Sequence, residues 1–81
     1  MAAKYHCPCC GYFTLEDPPG NFDICDVCLW EDDNLQRDDL DCWGGANEIS
    51  LNEARRNFLE FGASDRKYLS SARAPTDEEK G

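Results

Sequence analysis

Hydrophobic and polar positions follow two different spacings along this chain, and each spacing predicts a type of element. Aromatic and β-branched side chains lie on both sides of residues 7–11, which predicts a short hairpin between residues 5–6 and residues 12–15. Residues 22–25 alternate between apolar and polar side chains and predict a strand, after a turn predicted over residues 17–21. The N-terminal third therefore predicts two short hairpins.

An amphipathic helix is predicted from Ser50 to about Phe61. Apolar residues recur there at spacings of three and four, as they do on one face of a helix. These residues are Leu51, Ala54, Phe58 and Phe61. Ser50 and Glu53 fit the capping box of a helix N-terminus, and Gly62 fits a C-terminal stop.

The C-terminal region predicts less regular structure. A weaker helical turn is expected over residues 64–71, with Tyr68 and Leu69 facing the core. Residues 76–81 are mostly charged, which is typical of a flexible terminus. Because 81 residues suit one small domain, we predict a single cysteine-rich domain over residues 1–75 and a flexible acidic tail after it.

Six cysteines change this picture, because four of them form two Cys-x-x-Cys pairs. The pairs are Cys7 with Cys10 and Cys25 with Cys28, and the fourteen residues between them form a loop that lets both pairs reach one tetrahedral metal ion. A chain this short gains only marginal stability from its core, so a bound metal is an expected source of stability. We predict a closed structural zinc site with these four cysteines as ligands.

The predicted fold is a small metal-stapled α+β domain, with zinc-ribbon or rubredoxin-like knuckle hairpins followed by one amphipathic helix over residues 50–61. A knuckle here is the turn formed by one Cys-x-x-Cys pair. Iron is the alternative metal, because rubredoxin-like electron carriers use the same two pairs. Zinc is favoured because rubredoxins usually have glycine after both pairs, whereas Gly11 follows the first pair here and Leu29 the second.

The remaining candidates for chemistry do not predict an enzyme. Cys9 lies inside the first pair, where ligands spaced three apart leave it out, and a redox role is its alternative. Cys42 is predicted to be a small buried apolar residue. His6 is the only histidine and is expected at a strand edge, so the chain lacks the usual ligands of a hydrolytic zinc site. Trp30 and Trp43 are assigned to the core, with an interface as the alternative.

The chain is strongly acidic, with a formal net charge of −9 that is unevenly distributed. Ten carboxylates fall within residues 15–41: Glu16, Asp17, Asp23, Asp26, Glu31, Asp32, Asp33, Asp38, Asp39 and Asp41. We interpret residues 31–41 as a polar loop with solvated charges, since the alternating ligands and central glycine of a calcium loop are missing. Such a surface attracts basic partners, so we predict a protein-interaction module; solubility alone is the alternative.

Other partners and locations are less favoured by the sequence. Residues 55–73 are locally basic, which makes a nucleic-acid-binding zinc ribbon an alternative, but phosphate binding requires a net positive footprint. No segment approaches the roughly 18 apolar residues that cross a bilayer. The first residues contain no apolar secretory segment. A cytoplasmic protein with reduced thiols and no membrane partner is therefore expected.

Taken together, the motifs resemble the cysteine-rich CPCC domain family of small bacterial proteins. The matching stretches are Cys7-Pro-Cys-Cys-Gly-Tyr, residues 23–33, Gly44-Gly-Ala-Asn, and residues 50–58 and 61–63. The resemblance covers most of residues 5–75, and the combination is specific. It implies a stand-alone zinc-ribbon-like protein, and the toxin–immunity settings of some members imply an immunity or antitoxin-type inhibitor of a basic partner.

Overall fold

The computed structural model describes residues 4–18 and 20–81 as a small α+β fold with a Cα radius of gyration of 11.5 Å. In chain order the elements are β1 (Tyr5–His6), β2 (Phe13–Leu15), α1 (Asn34–Asp38), α2 (Leu51–Phe61), a 3-10 helix (Arg66–Tyr68) and α3 (Asp77–Lys80). Residues 1–3, and Pro19 in the turn predicted over residues 17–21, lie outside the described residues. The α+β class is confirmed, and its assignment as a zinc ribbon stays a prediction.

The first predicted hairpin is confirmed. Strands β1 and β2 are antiparallel, with Tyr5 opposite Leu15 and His6 opposite Phe13, and the register shifts between the two pairs. The rings of His6 and Phe13 lie 4.1 Å apart between centroids. The single histidine is exposed on this strand, as its sequence position predicts.

The second predicted hairpin is shorter than the sequence suggests. Within residues 22–25 only one isolated bridge forms, between Ile24 and Glu31, and the Phe22 N–H donates to the Asp32 carbonyl at 3.0 Å. Phe22 has a φ of 59°, in the left-handed region that extended strands exclude. The strand predicted here is therefore wrong in extent, although the chain does reverse and pair with itself.

Helix α2 confirms the predicted amphipathic helix. The Ser50 hydroxyl accepts a hydrogen bond from the Glu53 N–H at 3.1 Å and caps the N-terminus. The Glu53 carboxylate pairs with Arg56 and not with the Ser50 N–H, so only the Ser50 half of the predicted capping box forms. The helix ends at Gly62, whose φ of 85° is readily adopted only by glycine. All four residues of the predicted stripe are buried or half-buried: Leu51, Ala54, Phe58 and Phe61.

Two carboxylates of the acidic segment are buried, which the sequence analysis did not predict. Asp32 and Asp33 are only 1% and 6% exposed. Asp32 accepts hydrogen bonds from the Arg37 guanidinium at 2.9–3.1 Å and from the Gly20 N–H at 3.0 Å. Asp33 caps α1 by accepting from the Leu35 N–H at 2.8 Å. Solvated charge is therefore the wrong interpretation for both residues, because these donors compensate the desolvation of the carboxylates.

Gln36, fully buried in α1, is the centre of a polar network. Its amide nitrogen lies 2.9–3.0 Å from the carbonyls of Cys42, Asn47 and Ile49. Its amide oxygen accepts from the Asn47 backbone and side chain at 3.1 and 2.9 Å. Asn47 in turn bonds to the Glu31 backbone. Side-chain hydrogen bonds of Gln36 and Asn47 thus help to hold the loop before α2, together with the packing of Ile49 against the core.

The two tryptophans lie in different environments. Trp30 is fully buried in the core together with Leu15 and Leu51, whereas Trp43 is 60% exposed. Cys42, expected to be buried, is half-buried. The core assignment is confirmed for Trp30 and wrong for Trp43, because the polar network around α1 holds this loop without burying its aromatic residue.

The region after α2 follows the predicted helical turn only in part. The 3-10 helix lies within residues 64–71, and Tyr68 is half-buried. Leu69, expected to face the core, is instead 47% exposed. None of the helices within residues 4–18 and 20–81 combines the length and hydropathy of a membrane-crossing helix.

Residues 76–81, for which the sequence predicts a flexible tail, contain α3 in the structure. Thr76 and Glu79 form a reciprocal capping box. The buried Glu79 carboxylate accepts two hydrogen bonds of 2.8 Å from the Arg73 guanidinium. Charged residues indicate a flexible terminus only when they lack such partners, and Glu79 has one in Arg73. The domain boundary predicted after residue 75 stays a prediction.

Candidate metal centre

The first knuckle, residues 7–10, is closed by two local backbone hydrogen bonds. The Gly11 N–H donates to the Cys7 carbonyl at 2.8 Å, and the Cys7 N–H donates to the Tyr12 carbonyl at 2.9 Å. Gly11 has a φ of 82°, and a side chain at this position would meet open space. Glycine is therefore needed here for the backbone angle and not for room.

The second knuckle, residues 25–28, repeats this arrangement. The Leu29 N–H donates to the Cys25 carbonyl at 2.8 Å, and the Cys25 N–H donates to the Trp30 carbonyl at 3.0 Å. Leu29 takes the position of Gly11 and has a φ of 68°. A leucine therefore adopts a left-handed conformation that ordinarily costs about 1–2 kcal/mol.

The two knuckles bring four sulfur atoms into one cluster. The sulfurs of Cys7, Cys10, Cys25 and Cys28 all lie within 4.8 Å of one another. Sγ of Cys7 is 3.6 Å from that of Cys28, and Sγ of Cys10 is 3.7 Å from that of Cys25. Zinc–sulfur bonds of about 2.3 Å in a regular tetrahedron place sulfurs about 3.8 Å apart. The predicted residues are thus positioned to hold a metal ion between the knuckles.

Cys25 receives more hydrogen bonds at its sulfur than its position in the motif predicts. The Thr14 hydroxyl on β2 donates to Sγ of Cys25 at 3.0 Å, and the N–H groups of Val27 and Cys28 approach it at 3.4 and 3.5 Å. Hydrogen bonds of this kind favour a thiolate. No sequence motif marks Thr14, and only its place in the first hairpin brings it to a sulfur of the second knuckle.

The clustered thiols shift one another's acidity in opposite directions. Hydrogen bonding with Cys10 and then Cys28 lowers the pKa of Cys25, whereas hydrogen bonding with Cys10 and then Cys25 raises the pKa of Cys28. Four neighbouring thiolates repel one another, and a divalent cation offsets this repulsion by its own charge. Metal binding at this site therefore releases thiol protons, and the affinity for metal falls as the pH falls.

The cluster is built into the core of the protein. Cys7, Cys25 and Cys28 are fully buried, and Cys10 is half-buried. The surrounding core contains Leu15, Val27, Trp30, Leu51 and Ala54. Strand β2, the second knuckle and α2 therefore all pack around the sulfurs, so the site and the core depend on each other.

Backbone groups from the C-terminal region bond to the second knuckle. Two N–H groups donate to its carbonyls, Ser64 to Cys28 at 2.9 Å and Arg73 to Val27 at 3.2 Å. The first knuckle instead receives a side-chain hydrogen bond, from Arg55 Nε to the Pro8 carbonyl at 2.8 Å, on the exposed surface. The second knuckle is thus supported by residues that are distant in sequence.

The other residues considered as metal ligands lie outside this cluster. Within the described ranges, 4–18 and 20–81, only the four predicted cysteines form a group that could hold a metal ion. Cys9 is buried within the first knuckle without joining the group, Cys42 lies on the loop before α2, and His6 is on β1. All six cysteines have free thiols in the structure.

The fold and the site define a small α+β protein with a cysteine cluster that could bind a metal ion. Residues 5–79 match the protein family described as cysteine-rich CPCC, and the chain belongs to this family. The resemblance predicted from the motifs is thereby confirmed, and the match continues past residue 75 into α3. No curated protein matches the chain in sequence.

Proposed function

We propose that this chain is a small zinc-stabilised protein-interaction module, without enzymatic activity, whose acidic surface binds a basic protein partner. The closed cluster of Cys7, Cys10, Cys25 and Cys28 carries the proposal. An ion held there by four thiolates has no open coordination position for water or substrate. This supports a structural metal, so we assign the function to the surface of the protein.

Zinc is the proposed metal, and iron in an electron carrier is its rival. The sequence argument against iron depends on Leu29, yet this residue donates its N–H to Cys25 as Gly11 does to Cys7. The leucine is therefore compatible with a rubredoxin-like backbone and does not exclude iron. We retain zinc because two Cys-x-x-Cys pairs are typical ligands of structural zinc, which has no redox chemistry.

The metal is tested by elemental analysis and visible absorbance of protein purified without added metal. We expect one zinc per chain and no colour, because zinc bound to four thiolates does not absorb visible light. One iron per chain with thiolate charge-transfer bands would overturn the zinc assignment and favour electron transfer. Folded protein without any metal would overturn the structural site itself.

The charges at the surface support a basic partner. Five aspartates of residues 15–41 are exposed, and within the described part of the chain they form no ion pair: Asp17, Asp26, Asp38, Asp39 and Asp41. Four of the five basic side chains of residues 55–73 have other acidic partners, and the fifth, Arg55, donates to the Pro8 carbonyl. These pairs are Arg56 with Glu53, Arg66 with Glu60, Lys67 with Glu48, and Arg73 with Glu79. The basic segment thus leaves the aspartates free and offers little positive surface to a nucleic acid.

We propose an immunity or antitoxin-type role as the setting of this binding, in which the partner is a basic toxin domain. The test uses the metal-loaded protein as bait, followed by purification of the captured partner and calorimetry at two salt concentrations. We expect a partner with net positive charge whose affinity falls as salt rises. A partner without positive charge, or an affinity independent of salt, would contradict the proposal.

A further inference from the structure

Residues 35–43 expose three large apolar side chains on the outside of the fold. Leu35 is 70% exposed, Leu40 37% and Trp43 60%. Other large apolar side chains are exposed as well, among them Leu59, but tryptophan is one of the residue types enriched among the energetic centres of protein interfaces. We call residues 35–43 the Trp43 segment.

The backbone of the Trp43 segment is held in place although its side chains are exposed. The buried Gln36 amide donates to the Cys42 carbonyl at 3.0 Å, and the Asn52 N–H of α2 donates to the Leu40 carbonyl at 3.0 Å. The Cys42 N–H also donates to the Asp39 carbonyl at 3.0 Å. A surface fixed in this way loses little conformational entropy when a partner binds.

Acidic residues alternate in sequence with the exposed apolar residues of the Trp43 segment. Asp38, Asp39 and Asp41 are exposed within the same segment, and no lysine, arginine or histidine occurs from residue 38 to residue 54. Arg37 is occupied by the buried Asp32. A partner that covers this surface therefore needs an apolar contact for the tryptophan and basic side chains around that contact.

We propose that the Trp43 segment is the docking surface for the basic partner, with the Trp43 ring as its central apolar contact and Asp38, Asp39 and Asp41 as its charged rim. This inference rests on the proposed function and deepens it. It requires a partner segment that combines lysine or arginine with an apolar side chain. A partner recognised by charge alone does not meet this requirement.

The test is a phage-displayed library of random 12-residue peptides selected against the metal-loaded protein. We expect the enriched peptides to combine basic and apolar residues and to shift the fluorescence of the exposed Trp43. Trp43→Ala should weaken binding of a synthesised peptide by about tenfold or more, and Trp43→Phe should retain most of the affinity. Leu59→Ala is the matched control, because Leu59 is an exposed apolar residue on α2.

The charged rim is tested with matched neutral variants. Asn replaces Asp38, Asp39 and Asp41 in one triple variant, and the control removes three exposed charges elsewhere, with Asp17→Asn, Asp77→Asn and Glu78→Gln. The first variant should weaken binding and reduce its salt dependence, while the control should bind nearly as wild type does. Metal content of one ion per chain must be unchanged in all variants.

The possible outcomes separate this inference from the proposed function. Basic peptides whose affinity is the same for wild type and Trp43→Ala would overturn the docking surface and leave an acidic interaction module standing. If the rim variant and its charge-matched control lose the same amount of affinity, Asp38, Asp39 and Asp41 do not form the charged rim of the docking surface. A selection that enriches no basic peptide would overturn both proposals.

Discussion

The two knuckles close with the same pair of backbone hydrogen bonds, but different residues make this possible. The first knuckle uses Gly11, which adopts a φ of 82° without a side chain in the way. The second uses Leu29 at a φ of 68°, and its carbonyls are bonded by N–H groups of Ser64 and Arg73. Both knuckles thus close by local hydrogen bonds, but the second is also held by backbone groups from distant parts of the chain, whereas the first receives a distant side-chain bond from Arg55 on the exposed surface.

This difference shows that the backbone geometry of a knuckle can form without the glycine of the usual motif. A glycine after the second cysteine is one way to turn the backbone toward the sulfurs, and tertiary support is another. The absence of the glycine therefore says little about which metal a four-cysteine site prefers. It indicates instead which of the two knuckles is more sensitive to changes elsewhere in the fold.

The largest expected effect is the loss of the metal from either knuckle. Cys10→Ser and Cys25→Ser should each release the ion and abolish cooperative unfolding, because structural zinc sites contribute about 10–16 kcal/mol in small domains. Metal content and thermal unfolding measure the result, and Cys42→Ser, outside the cluster, should behave as wild type. Cooperative unfolding of a metal-free Cys25→Ser variant would contradict a metal-dependent fold.

The next largest effect is expected at Asp32, which directly follows the Ile24–Glu31 bridge of the second hairpin. Asp32→Ala leaves Arg37 and the Gly20 N–H without their acceptor, so we expect a loss of about 2–3 kcal/mol in the free energy of unfolding. Asp38→Ala, an exposed aspartate of the same segment, should change it by less than about 0.5 kcal/mol. Equal losses in denaturant unfolding of the two metal-loaded variants would show that Asp32 has no special structural role.

Substituting the residue that follows each knuckle tests the comparison of the two knuckles directly. Gly11→Ala should destabilise the protein by about 1–2 kcal/mol, because alanine is strained at this positive φ. Leu29→Gly should change stability by less than about 1 kcal/mol, since relief of strain is offset by lost packing and a more flexible unfolded chain. Denaturant titration of the metal-loaded variants measures both. A loss at Leu29→Gly as large as that at Gly11→Ala would mean that the leucine side chain holds the second knuckle.

The smallest effect is expected at the support of the second knuckle, and it depends on pH. Arg73 lowers the pKa of Glu79 from its ordinary value of 4.5 to about 2. The ion pair therefore stabilises the fold above about pH 4.5 and loses this contribution as the pH falls toward 2. The wild-type advantage in melting temperature over Glu79→Gln should be constant between pH 7 and pH 5 and shrink at pH 4 and below. An advantage that grows toward acid pH would refute this assignment.

The sequence predicts those parts of the fold that depend on local rules. The four cysteines are identified by spacing, the first hairpin by its flanking aromatic residues, and α2 by its cap at Ser50, its apolar stripe and its stop at Gly62. Each of these rests on residues within a few positions of one another. The four cysteines of the candidate site, and their position in one cluster, could therefore be predicted from the sequence.

The parts that the sequence does not predict depend on partners far along the chain. Burial of Asp32 requires the Gly20 N–H as well as Arg37, and burial of Gln36 requires carbonyls on the loop before α2. Composition identifies such residues only as polar, which predicts that they are solvated, because it contains no information about their hydrogen-bond partners. The exposure of Trp43 follows from the same cause, since hydrogen bonds of buried polar residues fix the loop.

The hydrogen bonds from Ser64 and Arg73 to the second knuckle also set an order of events during protein synthesis. All residues that form the two closing hydrogen bonds of the first knuckle are present once the chain has been made through Tyr12. The second knuckle receives its last bonds only after the chain has been made through Arg73. A metal ion bound early by the nascent chain would thus lie in an unfinished site, and synthesis of the downstream region would complete its enclosure.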